Sequence, residues 1–170
     1  MTTSVNLWIG CAYQPAFRTG GWAHVCVAGG QVTGAAGGDR RISTLRASLA
    51  ALTAALRAAS STGGAKPGDS LVIHTTDVEI AGFVQRLSSL AAGTASPPQD
   101  DLDLWAQLQA AATGRRLTLV KLRPEPQSPQ AFVAAWAELG CDKAKAAGPF
   151  TAAIPKTNLA KIAGLPAESV

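Results

Sequence analysis

Ser70-Leu71-Val72-Ile73-His74-Thr75-Thr76-Asp77 is the stretch around which the chain organises. Its β-branched run reads as one strand, entered through the Pro67-Gly68 turn and left at Asp77. Before it, Leu45, Leu49, Leu52 and Leu56 recur at helical spacing among alanines, with Ser43 or Thr44 as cap and residues 60–64 as the stop. After it, Ile80, Phe83, Val84 and Leu87 share one face of a short helix. A strand held between two helices belongs to a sheet whose neighbouring strands run parallel to it.

Outward from this unit the N-terminal part reads as strands. Val5-Asn6-Leu7-Trp8-Ile9 and Trp22-Ala23-His24-Val25-Cys26-Val27 are the first two, separated by a loop over residues 13–21. Gly29-Gly30 is a hairpin signal, and a third strand runs from Gln31 to Ala36 and stops at Gly37-Gly38. Three strands joined by short turns form an antiparallel meander. Toward the C-terminus, residues 93–99 are a breaker-rich loop, Asp101 to Thr113 a helix and Arg116 to Leu122 a strand. Pro124, Pro126 and Pro129 stiffen the connection to a last long helix, Gln130 to Ala147. The predicted order is β-β-β-α-β-α-α-β-α. That is an α/β fold with a mixed five-stranded sheet, three strands antiparallel and then two parallel, flanked by helices. One domain is expected over residues 1–147, followed by a C-terminal tail over 148–170 in which residues 157–163 have the composition for one or two helical turns.

The 170 residues are 47% hydrophobic and 15% charged, which excludes a disordered chain. No apolar run approaches the ~20 residues of a bilayer span, so no membrane partner is expected. No basic n-region opens the chain, and Cys11, Cys26 and Cys141 are too few and too scattered for a disulfide framework; a cytoplasmic location is expected. The cysteines and the two histidines lack zinc-ligand spacing. The net charge of +4 is unevenly spread. Residues 1–68 carry Arg18, Arg40, Arg41, Arg46, Arg57 and Lys66 against a single acid, Asp39. A catalytic centre made of clustered carboxylates can draw almost nothing from that stretch, whereas a polyanionic partner suits it.

Three stretches carry a family resemblance. They are Trp8 to Val25 with its Gly20-Gly21-Trp22 turn, then Ile73-His74-Thr75-Thr76-Asp77, and then Asp103-Leu104-Trp105, Val120-Lys121 and Cys141-Asp142 in that order. Together with the element order, they make residues 4–147 resemble the bacterial type 1 ribonuclease H family. The resemblance implies that fold and a site of four carboxylates holding two divalent metals, which cleaves the RNA strand of an RNA–DNA hybrid. Carried over residue by residue, the last two acids are present as Asp77 and Asp142. The strand-one Asp falls at Gly10, the first-helix Glu at Ser48, and the assisting His at Arg123. Gly10 is expected to face Asp77, with Ser48 on the helical turn that covers the same strand end. The family's basic protrusion falls between Val84 and Asp101, where this chain is short and nearly uncharged.

Loss of two acids and the His implies a degenerated active site. No cofactor is then required, and a residual Mg²⁺ or Mn²⁺ on Asp77 and Asp142 is the remaining metal option. Phosphate contacts need only positive charge and reach, so they survive loss of catalysis. Arg40, Arg41 and Arg46 form one candidate patch near the helix start, and Arg115, Arg116, Lys121 and Arg123 a second. The leading reading is a nucleic-acid-binding or assembly module that takes a hybrid or duplex weakly. The alternatives are an active metal-dependent hybrid endoribonuclease with a rearranged site, and a structural homodimer without a nucleic-acid role.

Overall fold

A computed structural model describes residues 4–61 and 64–166. Thr62 and Gly63, within the expected helix stop, and the last four residues of the expected tail lie outside the described residues. The elements are β1 (Ser4–Gln14), β2 (Thr19–Ala28), β3 (Gln31–Arg40), α1 (Thr44–Ser61), β4 (Ser70–Thr75), α2 (Val78–Ala91), α3 (Leu102–Ala112), β5 (Arg116–Lys121), α4 (Pro129–Ala147), β6 (Phe150–Ala153) and α5 (Lys156–Leu159). The sheet order is β5-β4-β1-β2-β3-β6. β1, β2 and β3 pair antiparallel, and β4 lies parallel to β1 and β5 parallel to β4. The mixed α/β sheet flanked by helices is the architecture expected from the sequence. Among the described residues, no helix is long and apolar enough to cross a membrane.

Period-2 alternation sorts the core onto the two faces of the sheet. Leu7 and Ile9 of β1 and Leu71 and Ile73 of β4 are fully buried with Leu49, Leu52 and Leu56 of α1. Trp8 of β1 and Ala23 and Val25 of β2 pack on the opposite face with Val133 and Ala137 of α4.

Three expectations change. The loop at 13–21 shrinks to one 3₁₀ turn, Pro15–Phe17, closed by Arg18 in the left-handed region with φ 48°. Gly20 and Gly21 are paired strand residues, opposite Tyr13 and Ala12. The third strand does not stop at Gly37-Gly38 but runs on to Arg40. Phe150–Ala153 adds a sixth strand, antiparallel to β3 with Gly38 opposite Phe150.

The glycines inside the strands serve packing. A Cβ on Gly21 would sit 2.2 Å from the Ala137 carbonyl oxygen and from the Cys141 nitrogen. One on Gly38, its cross-strand partner, would sit 2.6 Å from the Gly140 oxygen, and one on Gly140 2.5 Å from the Gly37 oxygen. Helix backbone therefore lies directly on sheet backbone, which only glycine permits.

His24 is 4% exposed, its Nδ1 has no hydrogen-bond partner, and burial pushes its pKa down from 6.5 to about 4. The folded protein resists protonation that the unfolded chain accepts. Stability is therefore full above pH 6.5 and falls as the pH drops toward 4, by up to about 3 kcal/mol. Urea denaturation across that range should show the loss, and His24→Leu should flatten it. In the same assay at neutral pH, Gly21→Ala should cost about 3 kcal/mol or more through overpacking. Gly82→Ala, in the open on α2, should instead stabilise by about 0.5–1 kcal/mol.

Candidate functional site

The end of β4 is tied to β1 and to α2 by side-chain oxygens. Thr75 Oγ1 donates to the Ile9 carbonyl at 3.0 Å and accepts from the Asp77 N–H at 3.1 Å. Asp77 Oδ1 accepts from the N–H groups of Glu79 and Ile80, both at 2.9 Å. Asp77 is therefore the N-cap of α2, a structural use that needs no metal. Buried Gln130 of α4 reaches the same point, donating through Nε2 to the Ile9 carbonyl and to Thr76 Oγ1 at 3.3 Å each.

Strand parity decides what faces Asp77. Odd positions of β1 face α1, and Cys11 stands there beside Ser48, which is 2% exposed on α1. Burial first, and then the Asp77 carboxylate, pushes the Cys11 thiol up to about 12, against the opposing effect of the Ser48 hydroxyl. Gly10 faces the other way. A Cβ there would meet the Val133 carbonyl carbon and oxygen of α4 at 3.0 Å. The expectation that position 10 faces Asp77 is corrected accordingly: Cys11 shares that space with Ser48 and Asp77, and Gly10 is a packing residue under α4.

This donor set does not fit two hard divalent cations. Mg²⁺ and Mn²⁺ take oxygen ligands, whereas the inner wall offers a protonated thiol, a hydroxyl and one carboxylate already engaged as a cap. Asp142 is engaged separately, its Oδ1 accepting from Gln14 Nε2 at 2.8 Å at the C-terminal end of β1. Among the described residues, no three or more His, Cys, Asp or Glu side chains converge to hold a metal. His74 is a packed residue, stacked on Trp8 with centroids 4.6 Å apart and with Nε2 2.9 Å from Asn6 Oδ1.

The candidate basic residues separate. Arg46 is bound by two acids, with Nη1 3.0 Å from Asp101 Oδ1 and Nη2 on Asp103. Its positive charge is compensated in place. Arg115 donates to Ser60 Oγ at 2.8 Å and to the Lys66 carbonyl at 3.2 Å. The second patch expected from the sequence does not exist as one surface. Arg115 and Arg116 stand at the start of β5 and Lys121 and Arg123 at its end, roughly 16 Å apart along an extended strand. Lys121 and Arg123 lie at the sheet end that holds Asp77, because β4 and β5 run parallel. Arg40 and Arg41 close β3 at that end as well, since β3 runs in the direction of β1.

Residues that the sequence reading passed over gather beside Arg40. Lys145 Nζ lies 4.4 Å from the Phe17 ring centroid, and Phe17 is 58% exposed. Lys143 Nζ lies 4.6 Å from the Phe150 centroid. The available signal was weak: Phe17-Arg18 inside a Pro/Gly turn, and Lys143 and Lys145 in the last turns of a helix.

No protein-family model and no curated protein matches this sequence. Solved structures do match. The N-terminal RNase H domain of Rv2228c from Mycobacterium tuberculosis superposes with TM-score 0.63 at 18% identity, covering 85% of this chain and 97% of that one. LC9-RNase H1, a type 1 RNase H with the type 2 active-site motif, gives 0.61 at 16% identity over 98% of this chain and 88% of its own. LC11-RNase H1, solved in complex with an RNA/DNA hybrid, gives 0.61 at 14% identity over 82% and 98%. The fold is that of type 1 ribonuclease H.

Position 11 rather than position 10 should accept a carboxylate directed at Asp77. Cys11→Asp with Ser48→Glu should lower Tm in chelator through charge repulsion and recover it in millimolar Mn²⁺ or Mg²⁺, while the parent protein stays unchanged. Gly10→Asp should lose about 3 kcal/mol or more and regain nothing with metal, because its side chain meets the Val133 backbone. Thermal melts across a metal series check both.

Proposed function

We propose that this chain is a nucleic-acid-binding protein on a ribonuclease H fold that does not cleave its ligand. The observation that carries this reading is the Cys11–Ser48 pair facing Asp77. Hydrolysis of a phosphodiester by two cations needs clustered oxygen anions to hold them, and a thiol raised to about 12 is neutral at physiological pH. Without that cluster, the surface keeps the part of the task that requires only positive charge. Arg40, Arg41, Lys121 and Arg123 are exposed at the sheet end beside Asp77. Contacts of this kind go to phosphates, so binding is sequence-independent and salt-sensitive. The neighbour solved with a hybrid, LC11-RNase H1, gives the fold a precedent for this class of ligand.

Purified protein should leave an RNA–DNA hybrid intact in Mg²⁺ or Mn²⁺. It should bind labelled oligonucleotides with an affinity that drops about tenfold or more as salt rises from about 50 to about 200 mM. Gel-resolved cleavage and fluorescence anisotropy measure the two. Cleavage that disappears in Asp77→Asn would overturn the non-hydrolytic reading, and absence of binding at low salt would overturn the nucleic-acid reading.

A further inference from the structure

We infer that the ligand is an unpaired nucleic-acid strand, held at the β1–β2 turn by base stacking on Phe17 and by phosphate contacts from the basic residues around it. This rests on the nucleic-acid reading above and specifies its site and substrate class.

Three segments build the surface. The 3₁₀ turn Pro15–Phe17 projects Phe17, which is 58% exposed, although nothing in a tight turn requires a large aromatic there. The last turn of α4 lays Lys145 Nζ 4.4 Å from the ring centroid, so the ring is backed by a cation while much of it stays open to solvent. The end of β3 supplies Arg40, whose Nη1 donates to the Lys145 carbonyl at 3.5 Å and so anchors that helix end to the strand. Arg18 and Arg41 are exposed on the two turns that meet here, joined by the Ile42 N–H to Arg18 carbonyl bond at 3.1 Å. Among the described residues, the local acids form no ion pair with these cations, which outnumber them. Asp142 accepts from Gln14, and Asp39 Oδ1 accepts the Arg40 backbone N–H at 2.7 Å.

An exposed aromatic ring flanked by cations is the arrangement that binds single strands. Each base offers a π-face to the ring, and the phosphates beside it are attracted to the neighbouring basic side chains. A duplex hides its base faces by stacking and offers only the phosphate term. Unpaired RNA or DNA is therefore preferred over hybrid and duplex.

The test is anisotropy with labelled single-stranded, duplex and hybrid oligonucleotides of one sequence, using the full chain and three variants. Single strands should bind several-fold tighter than either paired form. Phe17→Ala should weaken single-strand binding at least fivefold and duplex binding little. Lys145→Ala should weaken all forms and lower the salt slope by about one counterion. Arg116→Ala, at the opposite end of β5, should change nothing, and unchanged thermal melts confirm that each variant folds. Binding that ignores both Phe17 and Lys145 overturns the site while leaving the nucleic-acid reading intact. Duplex binding as tight as single-strand binding overturns the substrate class. No binding by the parent protein overturns both, and tighter binding to phosphatidylserine vesicles than to any oligonucleotide assigns the patch to a membrane surface instead.

Discussion

The contact on which the rest of the molecule depends is helix α4 lying backbone-on-backbone across the sheet. Gly21 and Gly38 face each other on β2 and β3, and Gly140 sits above them on the helix. At each of these positions a methyl group would overlap main-chain atoms. Close-packed interiors do not yield at such points, so the helix has one rotation and one height above the sheet. Everything α4 carries inherits that placement. Cys141 Sγ meets the Thr19 carbonyl at 3.2 Å, Asp142 meets Gln14, and Lys145 comes to rest over Phe17.

The same contact governs the site chemistry. Gly10 lies under Val133 on the α4 face, so position 10 belongs to packing. The α1 face at that level is taken by Cys11 and Ser48, two uncharged side chains that need no counter-ion. Asp77 is kept in place by its own work as a helix cap, and Thr75 and Gln130 tie the same strand end to β1. A tightly connected polar network therefore stands where the resemblance implies a metal cluster. It is satisfied by protein groups alone, apart from the buried Gln130 Oε1.

What the sequence made legible follows physical periodicity. The β-branched run at Ser70–Thr75 and the leucine repeat of α1 both bury one defined face, so their signals are strong. The glycine pairs at 20–21 and 37–38 read as breakers because glycine is ordinarily selected for conformational freedom. Here it is selected for absence of volume, a property visible only once α4 is in place. β6 is four residues with three exposed, too short and too exposed to announce a buried face. Position 10 against position 11 is a matter of strand parity, and a one-residue shift moves a side chain to the opposite face of the sheet. The acids carried over onto Asp77 and Asp142 are real carboxylates in the structure, yet one caps a helix and the other bonds a glutamine. Residue type alone does not convey that division.

Electrostatics links the packing to the proposed ligand. A site that holds phosphate through bound cations is built negative and becomes attractive to a polyanion only when loaded. In this chain the corresponding wall carries a single carboxylate, beside a protonated thiol and a hydroxyl, in place of an acidic cluster. On the proposed reading, the surrounding arginines and lysines act on phosphate directly, without a cation as intermediary. Their arrangement also differs in kind from a catalytic cleft. Arg46 is neutralised by Asp101 and Asp103, which removes charge at the start of α1. Arg40, Lys145 and Lys143 add charge at the end of α4, next to two phenylalanine rings. The centre of attraction for an anion thus lies at the junction of the β1–β2 turn with the α4 terminus, where the glycine-seated helix delivers its lysines. For the ligand proposed, affinity at such a surface comes from charge and stacking together, and neither requires the strand to be cut.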